Sequence, residues 1–362
     1  MRPQIGIIGA GFIGRFHARS VHGLTRLGLA DADYVAVCDH VPERAESFAR
    51  IAGIGWHTTD ADELIASPSI DTIYICTPTA EHKPLALKAA AAGKHIFCEK
   101  PLARNLEDAQ QMYDAVRSAG VRHQVGLILR HSPIFTVLKE LISDPSLGQL
   151  MTALLRDDQF FPIQGHYISD WRKDIAMTGG GTLIEHSIHD LDLLAWLAGD
   201  IESLRAETRN FAGHEGIEDL ASVSLRFANG GAGQLVSIWH NVLDRPSGRL
   251  LELFFENGYF TVQDDFFGTI RYQTGATPET VEVREDEVRR RYLETVGLES
   301  DVFDSALSKY SLADYFFLRA LAEERDPFPG FDVGLRAHEL VDAVYRSAAE
   351  GGEEITTDFR AT

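Results

Sequence analysis

Cysteine is nearly absent from this chain. Three occur in 362 residues, Cys38, Cys76 and Cys98, and no two form a Cys-x-x-Cys pair. An odd number without that spacing excludes a disulfide framework and a zinc ribbon, and leaves buried thiols in a reducing cytoplasm as the expectation. Long apolar runs are missing too. No stretch reaches the roughly 18 residues that a membrane-crossing helix needs. Strand-like residues begin at Gln4, which leaves no room for a secretory leader, so a cytoplasmic setting is expected. Positive charge is the third shortage: Lys and Arg total 34 against 54 Asp and Glu, for a formal net charge of −20. That balance opposes binding to DNA, RNA or anionic lipid. It does not oppose an anionic small molecule, whose binding a few local N–H groups decide. No internal repeat or low-complexity segment is present.

What the chain does have is a fingerprint at its start. Residues 5–8 form a short apolar run that reads as a buried strand, and Gly9-Ala10-Gly11-Phe12-Ile13-Gly14 follows it at once. A strand, a G-x-G-x-x-G turn and a helix start are the parts that a dinucleotide pyrophosphate needs. Gly9 permits the sharp turn, Gly11 leaves room for the phosphates, and Gly14 lets the helix pack close to the strand. Phe12 and Ile13 open the helix, whose N-terminus offers N–H groups to the anion. A second strand-like run, Tyr34 to Cys38, ends in Asp39, 25 residues after Gly14. An acid there accepts hydrogen bonds from the adenosine ribose and repels a 2′-phosphate. His40 and Val41 come next, with no adjacent Arg or Lys, so NAD is expected in preference to NADP.

The length suggests two domains, and 44 % hydrophobic content is enough for a core in each. Residues 1–128 alternate strand-like runs (4–8, 34–38, 54–57, 70–76, 95–98 and 124–128) with helical ones, including Pro42 to Arg50, Ala80 to Ala92 and Leu106 to Ala119. Such alternation predicts a doubly wound parallel sheet, an α/β Rossmann domain that binds the dinucleotide. Residues 129–362 change character. Strand-like runs at 148–162, 203–211, 219–228, 231–242, 249–256, 258–263 and 268–273 follow one another with short turns. Asn229-Gly230 and Asn257-Gly258 signal hairpins. Helices are expected at 134–142, 182–197, 306–324 and 333–349. The second domain therefore reads as α+β: an open-faced, mostly antiparallel sheet with helices on one face, serving substrate binding and oligomerisation. Leu225, Phe227, Leu235, Trp239, Phe254 and Phe255 are expected on its uncovered face. A second subunit would cover them, giving a homodimer or homotetramer. Residues 274–300 are charged and read as an irregular, exposed excursion.

Three further stretches carry candidate chemistry. Thr77-Pro78-Thr79-Ala80-Glu81-His82 follows the strand ending at Cys76, at the sheet edge where open α/β folds bind ligands. Cys98-Glu99-Lys100-Pro101 follows the strand ending at Phe97, close to where a nicotinamide would lie, and Pro101 restricts Lys100 to an extended backbone. Gly179-Gly180-Gly181 opens a helix on which Glu185, His189 and Asp192 are spaced i, i+4, i+7 on one face, able to line a polar cleft.

Together these stretches resemble the Gfo/Idh/MocA oxidoreductases over nearly the whole chain, from the glycine turn through His82, Glu99-Lys100-Pro101 and residues 179–199 to Ala343-Val344-Tyr345-Arg346-Ser347. Glu-Lys-Pro at this position is the most specific part. The resemblance implies a Rossmann domain plus an open-faced sheet. It also implies hydride transfer between a nicotinamide cofactor and a hydroxyl carbon of a sugar, cyclitol or related polyol. It makes Lys100 the catalytic lysine and His189 the histidine that exchanges the hydroxyl proton. Where the family usually has Asp-x-Gly-x-His, this chain has Glu185 and Ser187, which lengthens the carboxylate and adds bulk. Trp171-Arg172 resembles a pair that approaches the nicotinamide end, and Tyr167 and His166 are neighbouring candidates for substrate contact.

These roles suit the chemistry. A histidine titrates near neutral pH and can take a hydroxyl proton, an ammonium stabilises a developing alkoxide, and the cofactor accepts the hydride. Two other readings use the same fold: a non-catalytic NAD(P)-binding sensor, and a glycosidase-type enzyme that retains its NAD. A metal-dependent isomerase or lyase with Glu185, His186 and His189 as ligands leaves the glycine turn and Lys100 unexplained and lacks a third separated ligand. No metal is expected.

Overall fold

A computed structural model describes residues 2–165, 168–275, 277–299 and 311–357. The chain forms two compact units, Met1–Ile128 with Glu299–Leu335, and Leu129–Leu298 with Arg336–Thr362.

In the first unit, β1 (Gln4–Ile8), β2 (Asp33–Cys38), β3 (Trp56–Thr58), β4 (Thr72–Ile75), β5 (His95–Cys98) and β6 (His123–Val125) make one sheet in the order β3-β2-β1-β4-β5-β6. All its pairs are parallel. β4 is buried along its whole length, as a strand covered on both faces must be. Between the strands run α1 (Phe12–Arg26), α2 (Pro42–Ala52), α3 (Ala61–Ala66), α4 (His82–Ala91) and α5 (Leu106–Ala119). Local chemistry sets their ends. Pro42 sits in the first turn of α2, Asp60 caps α3 by accepting from Asp62 N and Glu63 N, and Asn105 caps α5 by accepting from Asp108 N. The strand order reverses at β1 and β4, which opens a crevice at the carboxyl ends of those strands.

The two-part division read from the sequence gives everything beyond residue 128 to the second domain. The chain instead returns residues 299–335 to the first unit. Its described helix there, Ser311–Ala322 (α10 in chain order), supplies Phe317. That ring meets Tyr74 and Phe97 edge-on at 5.7 and 5.5 Å. Tyr74 and Phe97 are stacked at 4.8 Å and fully buried, so this sheet face needs a cover that residues 1–128 do not provide.

Among its described residues the second unit holds nine strands: β7 (Leu150–Phe160), β8 (Ile201–Arg209), β9 (Leu220–Phe227), β10 (Ala232–His240), β11 (Gly248–Phe255), β12 (Gly258–Val262), β13 (Ile270–Thr274), β14 (Thr277–Val283) and β15 (Ile355–Thr356). Their order is β14-β13-β12-β11-β7-β10-β9-β8-β15, antiparallel except for the central β7/β10 pair. Its helices are α6 (Pro133–Leu141), α7 (Ile175–Thr178), α8 (Ile188–Ala198), α9 (Glu285–Val296) and the greater part of α11 (Phe331–Ala349).

Two expectations for this unit change. The stretch 274–300 is not irregular: it contains β14, an outer strand of the sheet, and α9. Val288, Tyr292 and Leu293 of α9 are buried at helical spacing, and the Tyr292 hydroxyl donates to the His131 carbonyl at 3.1 Å. Its charges pair along the helix surface instead, as in Arg290–Glu294 and Arg291–Glu287. The faces of the sheet are also reassigned. Ser237 meets Thr182 and Ser187 of the helical layer, so Leu235 and Trp239, two residues either side, point the same way. By register Val223 and Leu225 share that covered face, and Phe227 is fully buried. Of the six expected residues, Phe254 is the exposed one. It shares the other face with Leu154, Val236, Ile238 and Leu250, interspersed with Arg156, Gln234 and Glu252.

Candidate active site

The glycine turn lies between the end of β1 and the start of α1. Gly9 N donates to Cys38 O at 2.8 Å, tying the turn to the end of β2. Gly9 has φ of +107°, and a side chain there would strike the Cys76 carbonyl. A side chain on Gly14 would overlap the Gly9 carbonyl, so this glycine serves packing. Gly11 is different. A Cβ built there meets nothing within 4 Å among the described residues. Gly11 is also the N-cap of α1, with no side chain capping the helix. Open space beside an uncapped helix N-terminus fits a pyrophosphate.

Asp39 directly follows β2 and is buried. Its Oδ2 accepts from Ala10 N at 2.9 Å and its Oδ1 from Val41 N at 3.0 Å. The acid is thereby locked to the glycine turn, with lone pairs left on both oxygens for ribose hydroxyls. His40 is exposed, with Nδ1 3.6 Å from Asp39 Oδ1. Next along the sheet edge, the Thr77 hydroxyl is buried without a hydrogen-bond partner among the described residues, an orphan that a bound dinucleotide can satisfy. Pro78 leads into a single turn, Thr79–Glu81, before α4. His82 is a strut: its ring nitrogens lie 2.8 Å from Pro101 O and 2.9 Å from Thr77 O, joining the two loops. The three thiols are poor nucleophiles. Burial, with the neighbouring carboxylates, pushes Cys38 up to about 12 and Cys76 and Cys98 well above their ordinary value.

Glu99 and Lys100 follow β5 on the same edge, and the Lys100–Pro101 peptide is cis. Glu99 is buried. Its Oε2 accepts from Lys100 N at 3.2 Å and its Oε1 lies 2.9 Å from His17 Nε2. The other ring nitrogen of His17, Nδ1, is 2.8 Å from Asp314 Oδ1 on α10. Burial works against charging His17, but the two carboxylates override it and push the ring up to about 10. Burial also works against ionising Glu99, yet His17 and Lys100 hold it below the usual carboxylate range. Neither His17 nor Asp314 is among the candidate residues named from the sequence. His17 sits three residues past Gly14, a spacing visible in the sequence, but Asp314 is 297 residues away from it.

In the second unit, the 182–197 helix begins with a π-helical turn, Leu183–Ser187, and continues as α8. The wide turn adds a residue and shifts the phase of the i, i+4, i+7 face expected for Glu185, His189 and Asp192. All three are buried, but the first and last turn to different arginines. Glu185 Oε2 accepts from Arg172 Nε at 3.2 Å, and Arg172 lies over the Trp171 ring at 4.7 Å. Asp192 takes two bonds from Arg130, each of 2.8 Å. The structure thus brings Trp171, Arg172 and Glu185 together. His166 and Tyr167 lie outside the described residues.

The glycines before this turn serve packing. Side chains on Gly180 and Gly181 would overlap the Tyr345 hydroxyl and the Glu218 carbonyl. Glu218 caps the turn, accepting from Gly181 N at 2.7 Å, Leu183 N at 2.9 Å and the Tyr345 hydroxyl at 3.0 Å. His186 points into a buried polar cluster rather than toward a metal ligand set, with Nε2 2.8 Å from Asp157 Oδ2. Arg249 joins that cluster, donating to Asp157 at 2.7 Å, to Asp190 at 2.6 Å and to Asp265. Burial opposes ionisation of both aspartates. Arg249 and His186 hold Asp157 below the usual range, whereas burial together with the Asp157 charge keeps Asp190 well above it. Among the described residues no group of His, Cys, Asp and Glu is arranged to hold a metal ion, and no helix is long and apolar enough to cross a membrane.

Two family models match the chain. "Oxidoreductase family, NAD-binding Rossmann fold" spans residues 4–127, and "GFO/IDH/MocA C-terminal domain" spans 135–261. The chain belongs to the GFO/IDH/MocA family of NAD-binding oxidoreductases. A relative within this family, inositol 2-dehydrogenase of Rhizobium meliloti, is 30 % identical over 97 % of this chain and 98 % of its own length. A 1,5-anhydro-D-fructose reductase of Ensifer adhaerens is 31 % identical, but over 62 % of this chain and 66 % of its own. The GFO/IDH/MocA fold also extends end to end. The chain superposes on levoglucosan dehydrogenase in complex with NADH and levoglucosan with a TM-score of 0.86, at 24 % identity, over 99 % of this chain and all of that one.

Proposed function

We propose that this oxidoreductase transfers a hydride between NAD(H) and a hydroxyl-bearing carbon of a sugar, cyclitol or related polyol. The observation that carries the reading is Lys100, held by its own backbone bond to buried Glu99 at the carboxyl edge of a parallel sheet in an NAD-binding unit. NAD, when bound, supplies the hydride acceptor. Gly11, Phe12, Ile13 and Thr77 hold its phosphates, and Asp39 accepts the ribose hydroxyls. Lys100 presents an ammonium to the substrate oxygen and stabilises alkoxide character as the C–H bond weakens. His189 takes the hydroxyl proton in oxidation and returns it in reduction. Glu185, oriented by Arg172, accepts from a neighbouring substrate hydroxyl. The names of the relatives support a polyhydroxylated substrate, since an inositol, levoglucosan and anhydrofructose are all of that class. The test is a panel of inositols, anhydrosugars and aldoses with NAD and NADP side by side, followed at the NADH absorbance. No turnover of any member with either cofactor would refute the reading and favour a non-catalytic NAD-binding sensor.

The uncovered sheet face supports a second part of the proposal, that two copies of the chain pair through it. Leu154 and Phe254 are each more than a third exposed, and Val236, Ile238 and Leu250 extend the same face. Polar residues between them suit an interface that seals against a copy of itself. A cytoplasmic setting fits the buried, unbridged thiols.

A further inference from the structure

His17 has no part in the reaction described above, yet its position ties it to the lysine that does. The ring is fully buried on α1 and held between two carboxylates, Asp314 at 2.8 Å and Glu99 at 2.9 Å. Carboxylates accept, so a ring bonded to both donates from both nitrogens and carries a positive charge. Aromatic rings fix it sideways: Phe97 meets it edge-on at 4.8 Å and Tyr74 at 5.4 Å. The far oxygen of Glu99 takes the Lys100 N–H. Gly126, at the end of β6, makes the room, since a Cβ there would come within 3.0 Å of both Glu99 oxygens. The line of bonds therefore runs from α10 through α1 and ends on the main chain of Lys100.

A purely structural role explains this poorly. Replacing a buried ion cluster with apolar side chains is often neutral or stabilising, and the surroundings here are already aromatic. What apolar filling cannot do is hold a carboxylate ionised and aimed at one backbone N–H. Resting on the reading of Lys100 as catalytic, we propose that His17, anchored by Asp314, is a positioning residue that fixes the Glu99 carboxylate and through it the backbone and direction of Lys100. Besides the two carboxylates, the titratable group packed against the ring is Tyr74; Tyr34 and Cys76 interact with Asp314, and Lys100 lies beyond Glu99.

The test uses His17→Gln and, should that variant fold poorly, the isosteric Asp314→Asn. The first readout needs no ligand. Amide hydrogen exchange at Lys100 rises about tenfold or more, while Ile96 and Phe97 of β5 keep their protection; a uniform rise along β5, or none, overturns the proposal. The second readout is kinetic, with the best polyol of the panel and NAD. A lysine displaced by a fraction of an ångström costs kcat about 10–10²-fold, while the Kd for NADH alone stays within about twofold because the glycine turn and Asp39 are untouched. In a Lys100→Ala background, His17→Gln then costs nothing further, because the group it positions is gone. Multiplicative losses in the double variant overturn the positioning role and leave the catalytic reading intact. A wild-type rate in Lys100→Ala alone overturns the catalytic reading, and this proposal with it.

Discussion

At the scale of single residues, two glycines three positions apart do different work. A side chain on Gly14 meets a carbonyl oxygen of its own turn, whereas one on Gly11 meets open space. Gly14→Ala should therefore cost about 1–3 kcal/mol in denaturant unfolding, the usual range for forced overlap in a packed region. Gly11→Ala should leave the midpoint within about 0.5 kcal/mol and weaken NADH binding at least tenfold. Unchanged NADH affinity in Gly11→Ala would mean that the phosphates lie elsewhere. The charge of His17 also makes a stability prediction. Its folded pKa, about 10, is above its ordinary 6.5. The stability it adds is complete below pH 6.5 and is lost as pH rises through 10. Thermal midpoints recorded from pH 6.5 to 10 should fall more steeply in the wild-type protein than in His17→Gln. Parallel curves would show that the ring is neutral across that range.

At the scale of elements, the turn that carries Glu185 depends on a cap from far along the chain. Glu218 satisfies three donors at the helix start, Gly181 N, Leu183 N and the Tyr345 hydroxyl. Glu218→Ala leaves those donors short of a partner, at about 1–3 kcal/mol each in a buried setting. Unfolding should move accordingly, and KM for the polyol should rise more than KM for NAD. The first unit's strands were legible in the sequence because they are local: apolar runs give them, and Pro42 and Gly120 punctuate the helices. Strands β7 to β13 of the second sheet were legible as apolar runs, with Asn229-Gly230 and Asn257-Gly258 marking two of its hairpins, whereas β14 and β15 were not. Residues 274–300 were not, because α9 buries a narrow apolar stripe under a surface whose charges dominate its composition. Sheet faces were misjudged for a related reason. Alternation shows that a strand has two faces, but only contact with another layer, here Ser237 against Thr182 and Ser187, shows which face is covered. The same limit applies at the site. Lys100 and the glycine turn announce themselves through adjacent residues, while Asp314 and Glu218 act through partners 297 and 37 residues away.

At the scale of the whole molecule, the exposed sheet face can be tested without any substrate. Leu154→Arg together with Phe254→Glu should turn a dimer or tetramer into a monomer by light scattering at micromolar concentration, with the circular dichroism unchanged. An unaltered mass would place any interface elsewhere. The connectivity of the first unit has a further consequence, which concerns the order in time of protein synthesis. Asp314 leaves the ribosome 297 residues after His17. At the usual pace of about 5–20 residues per second, that is a wait of roughly 15–60 s. Throughout it, the emerging sheet displays Tyr74 and Phe97 without Phe317, and His17 has one carboxylate instead of two. The His17 site is thus begun early in synthesis and completed late, so a nascent chain stalled before Ser311 should be a client of chaperones that a finished chain escapes.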